Sequence, residues 1–139
     1  FNIITRLRQN DTRKKSMVEM VKFKNLTCLL VDDNKDNTMM LKMLFQYVNI
    51  HSDVAYNGRS ALDKIVNKKY DIILANINRN ILLQDIPTYS NALHASGVLI
   101  LSGFYKEDLP LIIEKCSENK LTFDSHLQKG KWIGAKFVF

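Results

Sequence analysis

Hydrophobic residues follow two different periods along this chain, and the two periods alternate. Short runs that are apolar throughout are typical of parallel strands with both faces buried, whereas apolar residues three and four positions apart are typical of helices with one buried face. The predicted strands are residues 27–31, 51–56, 70–77 and 97–101, and the predicted helices are residues 37–48, 60–67, 82–93 and 109–119. Strand and helix therefore alternate through most of the chain.

The last two segments alternate apolar and polar residues. Residues 121–128 and 131–139 flank Lys129-Gly130, which predicts an antiparallel hairpin with Trp132 and Phe137 in its core. Strands and helices that alternate with short links predict right-handed crossovers. We therefore predict an α/β fold: a three-layer, doubly wound and mainly parallel sheet of flavodoxin-like or Rossmann-like type, with a C-terminal hairpin.

Positive charge is concentrated at the start of the chain. Residues 1–26 contain seven Lys and Arg against two Asp and Glu, and residues 27–139 contain thirteen against twelve, so most of the net charge of +6 belongs to the first segment. This segment lacks interleaved aromatic residues and any groove-reading motif. We predict a basic leader or linker over residues 1–24 that does not bind nucleic acid, and one α/β domain over residues 25–139.

Two features favour a cytoplasmic protein. No run reaches the ~18 apolar residues of a membrane helix, and no signal-peptide pattern is present. Cys28 and Cys116 lack the spacing of a metal site and are typical of reduced core thiols. We therefore predict no membrane segment.

Polar side chains follow the predicted parallel strands. In doubly wound sheets, ligands bind beyond the carboxyl ends of the strands. Asp32 and Asp33 are adjacent carboxylates, and together with the carbonyl oxygen of Asn76 they predict a weak Mg²⁺ site. The residues predicted to lie at this edge are Asp32, Asp33, Asn57, Asn76, Asn78, Ser102 and Gly103.

The first half of the chain resembles a phosphorelay receiver domain. The resemblance is carried by residues 29–34 (LLVDDN), 54–62 (VAYNGRSAL) and 69–74 (KYDIIL). Residues 1–7 (FNIITRL) resemble the closing strand of a histidine-kinase ATP-binding domain, so residues 1–74 follow the order of a hybrid histidine kinase. The resemblance implies a two-component signalling protein whose partner is a kinase or another signalling protein.

A receiver also needs a phosphoacceptor carboxylate at the end of its third strand. Asn76 stands at that position, and an amide cannot accept a phosphoryl group as a carboxylate does. Ser102 corresponds to the switch hydroxyl of receivers. The first hypothesis is therefore a receiver-like phosphorelay signalling module that lacks its phosphoacceptor and is non-catalytic.

The second half resembles a different family. Residues 71–139 are similar to the C-terminal half of the methyltransferase that modifies a large-subunit ribosomal protein, through residues 76–83 (NINRNILL), 102–105 (SGFY) and 131–138 (KWIGAKFV). This resemblance implies that Asn76, with Asn78 and Arg79 nearby, holds the acceptor amine of a ribosomal protein. An Asn-rich loop between a strand and a helix is also typical of a helix cap.

Methyl transfer in that family uses S-adenosylmethionine. Such enzymes bind it with a glycine-rich turn after the first strand, but this chain has no glycine before Gly58. The second hypothesis is therefore the C-terminal half of a protein methyltransferase that does not bind its donor and is inactive without its donor-binding loop. Because the two resemblances meet at residues 71–74, the chain is predicted to be chimeric. Both families place the next strand on the same side of the first, so the two resemblances imply the strand order 2-1-3-4 followed by the hairpin.

Overall fold

Six strands and four α-helices form residues 25–139, the part of the chain that the computed structural model describes, and they alternate up to the last two strands, which are consecutive. The predicted basic leader over residues 1–24, with its resemblance to the end of a kinase domain, lies outside the described residues, and the division into leader and domain stays a prediction. In chain order the elements are β1 (Leu26–Asp32), α1 (Lys35–Tyr47), β2 (Ile50–Ala55), α2 (Gly58–Ile65), β3 (Tyr70–Asn76), α3 (Arg79–Asn91), β4 (Leu93–Tyr105), a 3₁₀ turn (Lys106–Asp108), α4 (Leu109–Glu118), β5 (Thr122–Lys129) and β6 (Trp132–Val138).

The six strands form one sheet in the order β2-β1-β3-β4-β6-β5. β1 pairs in parallel with β2 and β3, and β3 pairs in parallel with β4. β6 is antiparallel to both of its neighbours, β4 and β5. The predicted α/β fold, with its parallel order 2-1-3-4 and its C-terminal hairpin, is confirmed.

Helices cover both faces of the sheet, because successive side chains of a strand point to opposite faces. Leu29 lies in the larger core, which α2, α3 and α4 cover. Leu30 lies in a smaller core on the opposite face, where Leu41 and Phe45 of α1 pack against it. This arrangement explains why the centre of β1 is apolar at every position.

The first turn of α3 differs from the prediction. The helix begins at Arg79, three residues before the predicted start, because the Asn78 side chain accepts a hydrogen bond from the Ile81 N–H at 3.1 Å and caps it. Pro87, which the sequence places near the start of the helix, therefore lies in its interior.

β4 is longer than its apolar run predicts. It spans Leu93–Tyr105 and pairs with β6 over most of its length, which places Tyr105 opposite Trp132. Phe137 is buried as predicted, whereas Trp132 is 42% exposed. Trp132 is therefore a surface residue at the end of the sheet and not part of the hairpin core.

The sequence predicts no membrane segment, and it predicts that Cys28 and Cys116 are reduced core thiols. No helix among residues 25–139 is long and apolar enough to cross a membrane. Cys28 and Cys116 are buried free thiols, and burial raises the pKa of Cys116 to about 12. A thiol with such a pKa is not a reactive nucleophile at neutral pH.

One carboxyl group is buried between α2 and α3. Asp85 is 5% exposed, and neither its Oδ2 atom nor the Tyr89 hydroxyl has a hydrogen-bond partner among the described residues. Gly58 leaves room for this group, since a Cβ at that position would lie 2.6 Å from Asp85 Oδ2. Burial raises the pKa of Asp85 more than the neighbouring Tyr89 hydroxyl lowers it.

Asp85→Asn should raise the free energy of unfolding at neutral pH by about 1 kcal/mol, because it removes a buried charge. The folded-state pKa of Asp85 lies above its unfolded-state pKa. The stability that the Asp85 side chain contributes is therefore fully present below the unfolded-state pKa and is lost as the pH rises through the folded-state pKa. Urea denaturation should therefore show a stability difference between the two proteins that grows with pH. Asp63→Asn, at an exposed position of α2, is the control and should change stability by less than about 0.5 kcal/mol. Equal effects of both substitutions would contradict this account.

Candidate functional site

Three polar side chains meet at the carboxyl ends of β1, β3 and β4. The parallel register places Asp32 beside Asn76 and Asn76 beside Ser102. The Asn76 amide nitrogen donates to Asp32 Oδ2 at 2.9 Å, and the Ser102 hydroxyl donates to Asn76 Oδ1 at 2.9 Å. Asp32 and Ser102 are buried, whereas Asn76 is partly exposed. The strand ends therefore form one hydrogen-bonded line, the Asp32–Asn76–Ser102 row.

The row determines which way the Asn76 amide points. An ionised carboxylate only accepts hydrogen bonds, so Asp32 selects the nitrogen end of the amide. Ser102 then donates to the oxygen end. A carbonyl oxygen has two lone pairs, and Ser102 uses one of them. The second lone pair of Asn76 Oδ1 is left to accept a hydrogen bond at the partly exposed edge of the sheet.

The turn from β1 to α1 consists of Asp33 and Asn34. The Asn34 side-chain oxygen accepts hydrogen bonds from the N–H groups of Asp36 and Asn37, at 2.9 and 3.1 Å, and so caps α1. The Asn34 N–H in turn donates to Asp32 Oδ1 at 2.9 Å. The protein's own oxygens therefore occupy several of the N–H groups around the start of α1.

The predicted metal ligands do not all converge. Asp33 is exposed in the turn and does not join the row. Asp32 accepts N–H bonds from Asn34 and Asn76, and a longer one from Asn37 at 3.4 Å. Within residues 25–139, no group of three or more His, Cys, Asp and Glu side chains is arranged to hold a metal ion. The weak Mg²⁺ site at Asp32, Asp33 and Asn76 stays a prediction.

The other predicted asparagines cap helices. Asn78 is exposed and caps α3, and Asn57 accepts a hydrogen bond from the Ser60 N–H at 2.8 Å at the start of α2. Helix capping therefore accounts for the position of Asn78. The sequence had offered capping and amine binding as two interpretations of this loop. Asn76 differs, because its side chain lies in the row and not on a helix terminus.

An ion pair that the sequence pattern does not reveal joins α3 to the 3₁₀ turn. Arg79 Nη1 donates to Asp108 Oδ1 at 2.7 Å, and the Tyr105 N–H donates to Asp108 Oδ2 at 3.1 Å. Burial would raise the pKa of Asp108, but these two hydrogen bonds and the Arg79 charge hold that pKa below its ordinary value. The pair fixes the first residue of α3 against the end of β4.

Gly103 allows β4 to approach the loop that follows Asn76. Its φ is +94°, and a Cβ at this position would lie 2.5 Å from the Ile77 carbonyl oxygen. On the same stretch, the Ile77 N–H donates to the Ser102 carbonyl at 3.2 Å. This close backbone contact holds the Asn76 loop beside Ser102.

Solved structures with a similar arrangement of strands and helices include methyltransferases. A methyltransferase from Pyrococcus furiosus has a TM-score of 0.63 over 87% of this chain and 80% of that chain, at 14% identity. The ribosomal protein L11 methylase from Lactobacillus delbrueckii subsp. bulgaricus has a TM-score of 0.60 over 86% of this chain and 72% of that chain, at 24% identity. The fold is therefore that of the Rossmann-like methyltransferases.

Sequence similarity gives the family. The family model described as ribosomal protein L11 methyltransferase (PrmA) matches residues 31–138, and the chain belongs to that family. The ribosomal protein L11 methyltransferase of Bacteroides thetaiotaomicron is 39% identical over 92 residues, which cover 66% of this chain and 33% of the relative. That of Phocaeicola vulgatus is 37% identical over 108 residues, which cover 78% of this chain and 36% of the relative. The chain thus spans about a third of the length of these curated relatives.

The predicted receiver-like signalling module is wrong. One family match covers residues 31–138, including both sides of the predicted junction at residues 71–74, so nothing supports a chimera or a kinase or signalling partner. The receiver resemblance was carried by residues 29–34, 54–62 and 69–74. Apolar strands followed by polar residues are a pattern that any parallel sheet with a polar edge can produce. In the structure, Asp32 is buried against Asn76, and Asp33 lies apart from it in the exposed turn.

Gly103→Ala should lower the free energy of unfolding by about 3 kcal/mol, because it adds backbone strain and a clash with the Ile77 carbonyl. Gly130→Ala is the matched control. Its φ is also positive, at +61°, but a Cβ there would have nothing within 4 Å, so we expect a loss of only about 1 kcal/mol. Chemical denaturation measures both values. Equal losses would show that the approach of β4 to Ile77 carries no cost of its own.

Proposed function

We propose that this chain forms the acceptor side of a methyltransferase that modifies an amine of a ribosomal protein. In this proposal Asn76 binds the amine, while Asn78 and Arg79 lie at the rim of the site. The observation that carries the proposal is the fixed Asn76 amide, whose oxygen keeps a free lone pair at the carboxyl edge of the sheet. Family membership supports the class of reaction, and the names of the relatives support a ribosomal protein as the partner.

The chemistry of amine methylation explains why an oriented amide suits this role. The amine must be unprotonated, and its lone pair must point at the methyl group. A carbonyl oxygen that accepts one N–H of the amine restricts the direction of that lone pair. Because Asp32 and Ser102 hold the Asn76 amide from both ends, its oxygen is positioned before the amine arrives.

The described residues do not fit S-adenosylmethionine, the methyl donor that the family implies. The β1–α1 turn has no glycine, and Asn34 already occupies the N–H groups of Asp36 and Asn37 at the start of α1. Asp33 adds negative charge beside the place where a donor carboxylate would need N–H groups. We therefore assign no donor-binding residue and no transfer step to residues 25–139, and the proposal is limited to binding and orienting the acceptor amine.

A peptide that contains one lysine should shift the NMR signals of the Asn76 side-chain amide and of the Ile77 backbone amide. The same peptide with norleucine in place of lysine keeps the aliphatic chain but lacks the amine, so it should leave both signals unchanged. The response should strengthen as the pH rises toward the lysine pKa of about 10.4, because only the free amine is bound in the reactive form.

Two variants separate the Asn76 amide from the rest of the surface. Asn76→Ala should abolish the Ile77 response, because the acceptor oxygen is removed. Asn91→Ala changes an exposed asparagine at the far end of α3 and should retain the response. The proposed amine site is refuted if the norleucine peptide acts like the lysine peptide, or if Asn76→Ala still responds.

Titration calorimetry with S-adenosylmethionine at about 0.1 mM should give no saturable heat. A dissociation constant near that concentration corresponds to a binding free energy of about −5.5 kcal/mol. The reason is the capped, glycine-free turn after β1. A full-length relative serves as the positive control for the donor preparation. Saturable binding by this chain would overturn the statement that its described residues do not fit the donor, and it would leave the amine site untouched.

A further inference from the structure

Two large aromatic side chains are exposed beyond the row. Tyr105 ends β4 and Trp132 begins β6, and their ring centroids lie 4.6 Å apart at an interplanar angle of 33°. Tyr105 is 44% exposed and Trp132 is 42% exposed. Tyrosine and tryptophan are enriched at the centres of protein interfaces, where they contribute much of the binding energy. An exposed pair of this kind therefore suggests a docking surface.

Three lysines are neighbours of the aromatic pair along the chain or across the sheet. Lys106 follows Tyr105, Lys131 precedes Trp132, and Lys129 lies opposite Trp132 in β5; all three are exposed. The Lys106 N–H donates to the Lys131 carbonyl at 3.1 Å, which holds the two segments together. These five residues form the aromatic–lysine patch. The exposed Glu107 follows Lys106, but the three lysines outnumber it, so the net positive charge is complementary to a segment rich in Asp and Glu.

The aromatic–lysine patch has a fixed position relative to Asn76. Tyr105 follows Ser102 by three residues on β4, a separation of at most about 10 Å, because the strand is irregular between Ser102 and Phe104. Asp108 accepts hydrogen bonds from both the Tyr105 N–H and Arg79, which ties the patch to the start of α3. The patch is therefore close enough to Asn76 for one polypeptide to contact both.

Charge and ring geometry favour a polypeptide over a nucleic acid as the occupant. Residues 27–139 carry thirteen Lys and Arg against twelve Asp and Glu, so the domain lacks the broad positive field that phosphate backbones need. The rings of Tyr105 and Trp132 also lie against each other, which leaves fewer ring faces for bases to stack on.

We propose that the aromatic–lysine patch docks an acidic segment of the polypeptide that carries the acceptor amine. The identity of this occupant rests on the proposed function. Tyr105 and Trp132 provide apolar contact, and the three lysines attract the acidic side chains. The patch would thus select acceptor polypeptides by the residues that flank the modified amine.

Trp132 is the single tryptophan of the chain, so its fluorescence reports on the patch directly. The probe is a synthetic peptide of Asp and Glu residues around one leucine, without lysine. Titration at low ionic strength should give a saturable change in fluorescence that weakens as salt is added. Lys131→Glu should weaken binding about tenfold or more, because it reverses a charge within the patch.

Lys69→Glu is the matched control. It makes the same charge change at an exposed position just before β3, at the amino end of that strand and away from the carboxyl ends where β4 reaches the patch. It should leave the affinity unchanged, and circular dichroism should show that both variants are folded. Equal weakening by the two variants, or no saturable change with the unmodified chain, would overturn the docking proposal. A change caused by single-stranded poly-uridylate but not by the acidic peptide would overturn it in favour of nucleic acid.

Because the probe contains no lysine, the result is independent of the amine site. A response at Asn76 to the lysine peptide without any response at Trp132 to the acidic peptide would reject the docking surface and retain the proposed function. A response at Trp132 without one at Asn76 would support the docking surface and reject the proposed function.

Discussion

The candidate site depends on the register of three parallel strands. The buried residues Leu29, Ile73 and Leu99 are aligned across β1, β3 and β4, and all three are fully inaccessible to solvent. A slip of one residue would turn these side chains out of the larger core, so the core holds the register firmly. The same register brings Asn76 between its two partners at the strand ends. Apolar packing below the edge thus positions the polar groups at the edge.

Asp32 links the local structure of a turn to the geometry of the site. A buried carboxylate is costly unless hydrogen bonds compensate for its lost hydration. Asp32 accepts a hydrogen bond from the backbone N–H of Asn34, two residues later in the chain. It accepts another from the side-chain N–H of Asn76, on the neighbouring strand. One carboxylate therefore closes the β1–α1 turn and orients the amide at the end of β3.

Periodicity in the sequence was enough to predict the strands, the helices and the polar edge, because strands buried on both faces show as short, wholly apolar runs. The strand order followed from the family resemblances and not from periodicity. Contacts between distant segments could not be predicted in this way. Arg79 and Asp108 are 29 residues apart, and Asp32 and Asn76 are 44 apart, so no local pattern signals either pair. The receiver interpretation failed because short apolar runs followed by polar residues recur in unrelated parallel sheets, and the family match over residues 31–138 overturned it.

The shortness of the turn after β1 limits how this chain can change by mutation. Asn34 must remain to cap α1, and Asp32 must remain to hold the Asn76 amide, so glycine can replace neither without loss. Added residues would lengthen the turn and separate the Asn34 N–H from Asp32. Asp33 is the turn residue that glycine could replace without losing one of these contacts, and one glycine does not make a glycine-rich loop. An insertion would be required, together with a new way of holding the asparagine amide in place.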